Sequence, residues 1–81
     1  MHEETKVNWD INTEEGLANA VKWQQSMISL VKQSGVWFVP RSHSMYAIDH
    51  KHKVAKKVTG FPEPTIEKVF NAMGWTVDEQ A

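Results

Sequence analysis

The chain has 81 residues, which is enough for one compact domain and too few for two. Its 41% hydrophobic and 23% charged residues are typical of a folded globular protein, and no apolar run approaches the roughly 20 residues of a membrane span. Cysteine is absent, which excludes disulfide bonds and thiolate metal sites. We therefore expect a single domain over residues 1–81, with disordered ends at 1–6 and 78–81. The first residues lack the basic and apolar regions of a secretory signal, which favours the cytoplasm.

The formal net charge of −1 conceals a segregated distribution of charge. Residues 1–15 sum to −4, residues 16–40 to +2, residues 41–61 to +4 and residues 62–81 to −3. The basic segment 41–61 also contains three of the four histidines. A basic middle between two acidic ends favours a cationic surface patch on an otherwise acidic protein.

Residues 17–31 have the periodicity of an amphipathic helix. Asn12 and Glu15 fit a capping box before it, and Gly35 fits the left-handed residue that ends it. Gln24 falls among the apolar residues of the wheel, so we expect a buried amide bonded to a backbone carbonyl at the sheet edge, or else a polar contact with a partner. The apolar residues cover an arc of about half the circumference, which predicts a wide buried face: Leu17, Ala20, Val21, Trp23, Met27, Ile28, Leu30 and Val31.

Three short segments of β-branched and aromatic residues follow, at 36–39, 45–48 and 53–58. Pro40 ends the first of them, and the polar residues between them suit tight turns. Short connections predict a three-stranded antiparallel meander. Residues 7–11 also alternate, and form either a short edge strand or a segment that lies across the core.

A second helix is predicted from Pro64 to Gly74, with apolar residues at helical spacing. If Gly74 is the left-handed residue after the helix, Trp75 can pack back on Phe70. The expected fold is α+β: an N-terminal amphipathic helix, the meander, and a second helix on the same sheet face. The other sheet face is left to solvent or to a partner.

The basic segment favours nucleic-acid contact through a β-hairpin over residues 41–57, because each neutralised phosphate releases a counterion. The alternative is that these lysines protect strand edges and keep the protein soluble. The sequence pI near 6.4 counts against a dedicated nucleic-acid binder. The candidate phosphate-binding residues are Arg41, Lys51, Lys53, Lys56 and Lys57, with Tyr46 as a candidate stacking group.

A competing hypothesis is a protein-binding module or a homodimer that uses exposed aromatic residues. Four tryptophans are many for one small core, so we expect two or three of them to close the core and the others to be half exposed. The candidate partner-binding residues are Trp37, Phe38 and Trp23, on the open sheet face or the flank of the first helix.

Three histidines, His43, His50 and His52, together with Asp49 have the residue types of a zinc site. Neighbouring lysines would repel a cation, and a turn does not keep the rings parallel. We therefore expect exposed turn histidines that gain charge at mildly acidic pH, and no metal or other cofactor.

Residues 42–44, Ser-His-Ser, together with Asp49 have the residue types of an acyl-transfer triad, but adjacent residues of one turn seldom reach each other as nucleophile and base. Glu63 and Glu67 lie one turn apart near a helix start, where carboxylates usually offset the helix dipole. We expect a small regulatory binding protein that is not an enzyme, has no small-molecule substrate and does not bind membranes.

The segments Trp37-Phe38-Val39-Pro40-Arg41-Ser42, Pro62-Glu63-Pro64 and Met73-Gly74-Trp75, with a strand around Tyr46, carry a resemblance. Over residues 36–75 the chain resembles short proteins of tailed phages to which no fold, activity or site is attached. The resemblance implies a small regulatory or host-directed protein, which would act in the cytoplasm of the host cell.

Overall fold

The computed structural model describes residues 7–61 and 63–79. Its elements are α1 (Glu14–Ser29), β1 (Val36–Val39), β2 (Ser44–Asp49), β3 (Val54–Thr59), α2 (Pro64–Ala72) and β4 (Thr76–Glu79). The α+β class and the order of helix, meander and helix are confirmed, and the sheet has one more strand than predicted. None of the helices in the described ranges is long and apolar enough to cross a membrane.

The sheet has the strand order β1-β2-β3-β4. The first two pairings are antiparallel, and β3 pairs with β4 in parallel through the crossover made by α2. The backbone amide of Thr76 donates to the carbonyl of Lys53 at 3.0 Å, which starts β4. Asp78 and Glu79 belong to this strand, so our expectation of disorder from residue 78 was wrong at these two positions. The expected disorder of residues 1–6 and 80–81 lies outside the described residues.

Residues 7–13 add no strand: residues 7–10 are irregular and a turn follows at 11–13. The segment lies against α1, because the side-chain amide of Asn19 donates to the carbonyl of Asn8 at 3.0 Å. The helix cap is Thr13 and not Asn12, since the Thr13 hydroxyl accepts from the Gly16 amide at 3.0 Å.

The buried side of α1 is narrower than predicted. It consists of Gly16, Ala20, Gln24 and Ile28, which are spaced four residues apart and form a single stripe. Three residues of the predicted apolar arc are exposed instead: Trp23 (44%), Met27 (36%) and Leu30 (80%). The stripe is narrow because α1 packs mainly on α2 and reaches the sheet with Ile28.

The chain leaves α1 by a turn that differs from the expected one. Ser34, with φ 66°, takes the left-handed conformation that we assigned to Gly35. Gly35 is needed for space, because a Cβ there would lie 2.9 Å from the carbonyl oxygen of Lys32. The Gly35 carbonyl accepts from the Ile48 amide at 2.8 Å, which joins the turn to β2.

The core lies between the helices and one face of the sheet. Tyr46 and Phe70 are fully buried at its centre, with their ring centroids 5.7 Å apart. Trp37 is only 8% exposed, and its ring meets Phe70 edge-on at 5.9 Å. At the end of α2, Gly74 has φ 88° and the Trp75 amide donates to the Phe70 carbonyl at 2.9 Å. The Trp75 ring packs on Phe70 at 5.7 Å, so the predicted helix ending is confirmed.

Candidate interaction surfaces

The five basic residues of segment 41–57 do not share a surface. Arg41 lies in the turn between β1 and β2, whereas Lys51 and Lys53 lie in the turn between β2 and β3, at the other end of the sheet. The six residues of β2 separate these turns by about 20 Å. Lys56 lies on the open sheet face and Lys57 on the face that the helices cover. A hairpin surface with all five cations is therefore ruled out.

Tyr46 and Lys57 are paired neighbours on the covered face, and neither is available to nucleic acid. Tyr46 has no exposed surface, so it is excluded as a stacking group. Lys57 is 9% exposed and faces the carboxylates of Glu67 and Glu79, which lie on α2 and β4. Its charge is directed into the protein, which removes it from the phosphate-binding set.

Burial governs the protonation of this covered cluster. The Tyr46 hydroxyl donates to a Glu67 carboxylate oxygen at 3.3 Å. Burial raises the pKa of Tyr46 well above its usual range, and the negative charge of Glu67 raises it further. Burial also raises the pKa of Glu67, aided by a hydrogen bond and repulsion from the carboxyl of Glu79. Tyr46 and Lys57 are thus buried beside the half-buried Glu67, and Glu79 is exposed at the edge of this cluster.

A different cationic surface is present where α1 ends beside the turn between β2 and β3. Lys32, which the sequence did not associate with the basic segment, lies in the chain just after α1, and Gln33 beside it contacts that turn. We call this surface the basic end, and it comprises Lys32, Lys51, Lys53, His50 and His52. The three lysines are exposed, and within residues 7–61 and 63–79 none of them makes an ion pair within 4.0 Å.

Gln33 connects the segment after α1 to the turn between β2 and β3. Its side-chain oxygen accepts from the backbone amides of His50 at 2.8 Å and Lys51 at 3.2 Å, and its nitrogen donates to Asp49 at 2.7 Å. Asp49 in turn accepts from the ring of His52 at 2.8 Å. The hydrogen bond from Gln33, followed by those from His52, holds the pKa of Asp49 below its usual range. Gln33 thereby fixes the turn and orients the carboxylate of Asp49.

The open sheet face, opposite the helices, is largely apolar. The cross-strand pairs Val36–Ala47 and Phe38–Met45 lie on it, and Val58 lies beside Met45 at an irregularity of the pairing. Val36, Phe38 and Val58 are each about half exposed, at 51%, 47% and 54%. A solvated sheet face normally carries polar residues, so this apolar stripe is unusual for a surface left to water.

The three predicted partner-binding residues lie in three different parts of the structure. Phe38 lies on the open sheet face as expected. Trp37 belongs to the core because it alternates with Phe38 along β1, so its assignment to a partner surface was wrong. Trp23 is exposed on α1, with its ring 6.2 Å from that of Trp37. Trp9 is 54% exposed, and the structure thus has two exposed tryptophans.

The histidines and serines do not form the chemical sites that we considered. His43 lies beside Phe38 in the turn between β1 and β2, at the other end of the sheet from His50 and His52. No group of three metal-ligating side chains occurs in the described part of the chain. The Ser44 hydroxyl donates to the carbonyl of Phe61 at 2.5 Å.

No family model matches this chain, and searches of curated proteins and of solved structures return no match. The resemblance to tailed-phage proteins stays a prediction.

Proposed function

We propose that this protein is a small non-enzymatic regulatory module that contacts nucleic acid through its basic end. The observation that carries the proposal is the set of hydrogen bonds from Gln33 to the turn between β2 and β3. These bonds join the segment after α1, which contains Lys32, to the turn that contains Lys51 and Lys53. A fixed arrangement of lysines loses less conformational freedom on binding phosphates than lysines on a mobile loop.

The charges of the basic end support phosphate contact. Three exposed lysines belong to the basic end, and the neighbouring carboxylate of Asp49 is already engaged by Gln33 and His52. Phosphate contacts of this kind position a protein on nucleic acid without reading its sequence. We therefore propose binding with little sequence preference.

The test is binding of a fluorescent mixed-sequence oligonucleotide, followed by anisotropy at low salt. The double variant Lys51→Glu with Lys53→Glu should abolish binding. The matched control is Arg41→Glu with Lys56→Glu, which changes the charge equally but on other surfaces, and it should bind as the wild type does. Equal loss in both double variants would show a response to net charge alone and would refute the basic end as the site.

A second candidate function is self-association through the open sheet face, with a second copy of the chain as the partner. The apolar stripe favours it, and so does the pairing of Lys56 with Asp78 at the same level of neighbouring strands. Two copies related by a twofold axis can place each lysine opposite the partner's aspartate. The stripe spans three strands about 4.8 Å apart, so the interface is small and we expect a weak dimer.

Sedimentation at two protein concentrations tests this candidate. Phe38→Glu should hold the protein monomeric at both, because it replaces an exposed ring of the stripe with a charge. Leu30→Glu is the matched control, since Leu30 is 80% exposed just after α1 and away from the stripe. A wild type that stays monomeric at the higher concentration would rule out self-association.

A further inference from the structure

A cleft opens where the N-terminal segment, α1, the end of β1 and the start of α2 meet. Its volume is about 530 Å³, within the range of small-molecule sites in proteins. Trp9 and Trp23 line it together with aliphatic side chains such as Ile66, and Arg41 lies at its edge. We call this cavity the tryptophan cleft.

The cleft has one unsatisfied polar group in its lining. Gln24 is 1% exposed, and its side-chain nitrogen donates to the carbonyl of Ile66 at 3.2 Å. Its side-chain oxygen has no hydrogen-bond donor in the described part of the chain. Buried amide oxygens are nearly always bonded, so an unpaired one beside a cavity indicates a missing donor. Our expectation of a buried Gln24 bonded to a carbonyl was half right: the carbonyl belongs to α2 and not to the sheet edge.

We propose that the tryptophan cleft binds a planar heteroaromatic small molecule that carries a ring N–H. The flat ring makes aromatic contacts with Trp9 and Trp23, and the N–H supplies the donor that the Gln24 oxygen lacks. The oxygen is closed to water in this structure, so a bound ring must displace part of the cleft lining to reach it.

This ligand site is independent of the proposed nucleic-acid contact. The tryptophan cleft lies at the end of the sheet that carries Arg41, whereas the basic end lies at the other. It also departs from our expectation that no small molecule would be bound. Substitution of Lys51 and Lys53 should leave the cleft unaffected, so the two proposals can fail separately.

The test compares indole with 1-methylindole, which has the same ring system but no N–H, by titration of the full chain followed by ¹H–¹⁵N NMR. Indole should give saturable shifts of the Trp9 and Trp23 indole signals and of the Gln24 side-chain amide. A single lost hydrogen bond predicts that 1-methylindole binds about fivefold more weakly. Because both ligands are measured on the wild type, this comparison does not depend on a variant that folds.

Gln24→Leu adds a second measurement, because it removes the acceptor and keeps an apolar floor. In that variant the two ligands should bind equally. Two results would overturn the proposal: no saturable shifts with indole up to its solubility, or equal affinity of both ligands for the wild type. Shifts confined to residues outside the tryptophan cleft would also overturn it.

Discussion

The salt dependence of nucleic-acid binding gives the sharpest measure of the basic end. Three lysines that neutralise three phosphates predict a slope of log affinity against log salt of about −2.7 for duplex DNA and about −2 for a single strand. Between 50 and 200 mM salt, these slopes correspond to a loss of about 40-fold and about 20-fold in affinity. Lys32→Gln removes one contact and should make the duplex slope shallower by about 0.9.

The assay is fluorescence anisotropy at four or more salt concentrations, with both duplex and single-stranded probes. The double variant Arg41→Glu with Lys56→Glu should keep the wild-type slope, since neither residue belongs to the basic end. A slope shallower than about −1 would mean that fewer than two phosphates are neutralised. That result, or the absence of binding at 50 mM salt, would refute the reasoning from Gln33 to a clustered cationic surface.

Four further variants test the structure behind these surfaces. Gln33→Ala removes no charge, yet it should weaken nucleic-acid binding severalfold, because the turn between β2 and β3 loses its hydrogen bonds. It should also lower the free energy of unfolding, measured by urea titration, by about 1–3 kcal/mol. Unchanged affinity would show that binding does not require these hydrogen bonds. Thr13→Ala should cost about 1 kcal/mol in the same assay through loss of the α1 cap, and no change would mean that another residue caps the helix. Phe70→Ala should cost about 3–5 kcal/mol because this ring is at the centre of the core, and a loss below about 1 kcal/mol would contradict that position. Burial and the carboxyl of Glu79 raise the pKa of Glu67, so the folded state holds the Glu67 proton more tightly than the unfolded chain does. The free energy of unfolding should therefore fall as pH rises above about 4.5. Glu67→Gln should flatten this decline, and parallel pH profiles of the variant and the wild type would refute the assignment.

Local signals predicted most of the fold. The chain reversal at Gly74 after α2 and the contact of Trp75 with Phe70 were predicted, because a left-handed glycine after an apolar periodic segment leaves few ways to continue the chain. The three antiparallel strands were predicted nearly to their ends by β-branched and aromatic residues. β4 was not predicted, because Val77 is its only apolar residue and two carboxylates follow it. Its pairing depends on the crossover through α2, which no local pattern reveals.

The candidate sites were predicted less well, since they depend on long-range contacts. Helical spacing suggested a wide apolar face on α1, but only the narrow stripe that contains Gln24 found a partner in α2. That the Gln24 side-chain oxygen lacks a partner could not be predicted, because the sequence does not show which backbone carbonyl lies opposite the Gln24 side chain. Trp37 and Phe38 were placed together on one surface, although consecutive residues of a strand face opposite sides of a sheet. That alternation alone could have assigned one of them to the core.

The same alternation explains why a block of positive charge did not become a binding surface. Lys56 and Lys57 are adjacent in β3, so one had to face solvent and the other had to face the helices, whatever the function of the protein. Turn residues are free of this constraint, and Lys51 and Lys53 accordingly remain available. The third lysine, Lys32, is 19 residues before Lys51 and lies in the segment that Gln33 bonds to this turn and that the Ile48–Gly35 backbone bond joins to β2. An uncharged side chain thus contributes to the contact between these segments, and Gln33→Ala should affect binding more than removal of Arg41, a cation of the original segment.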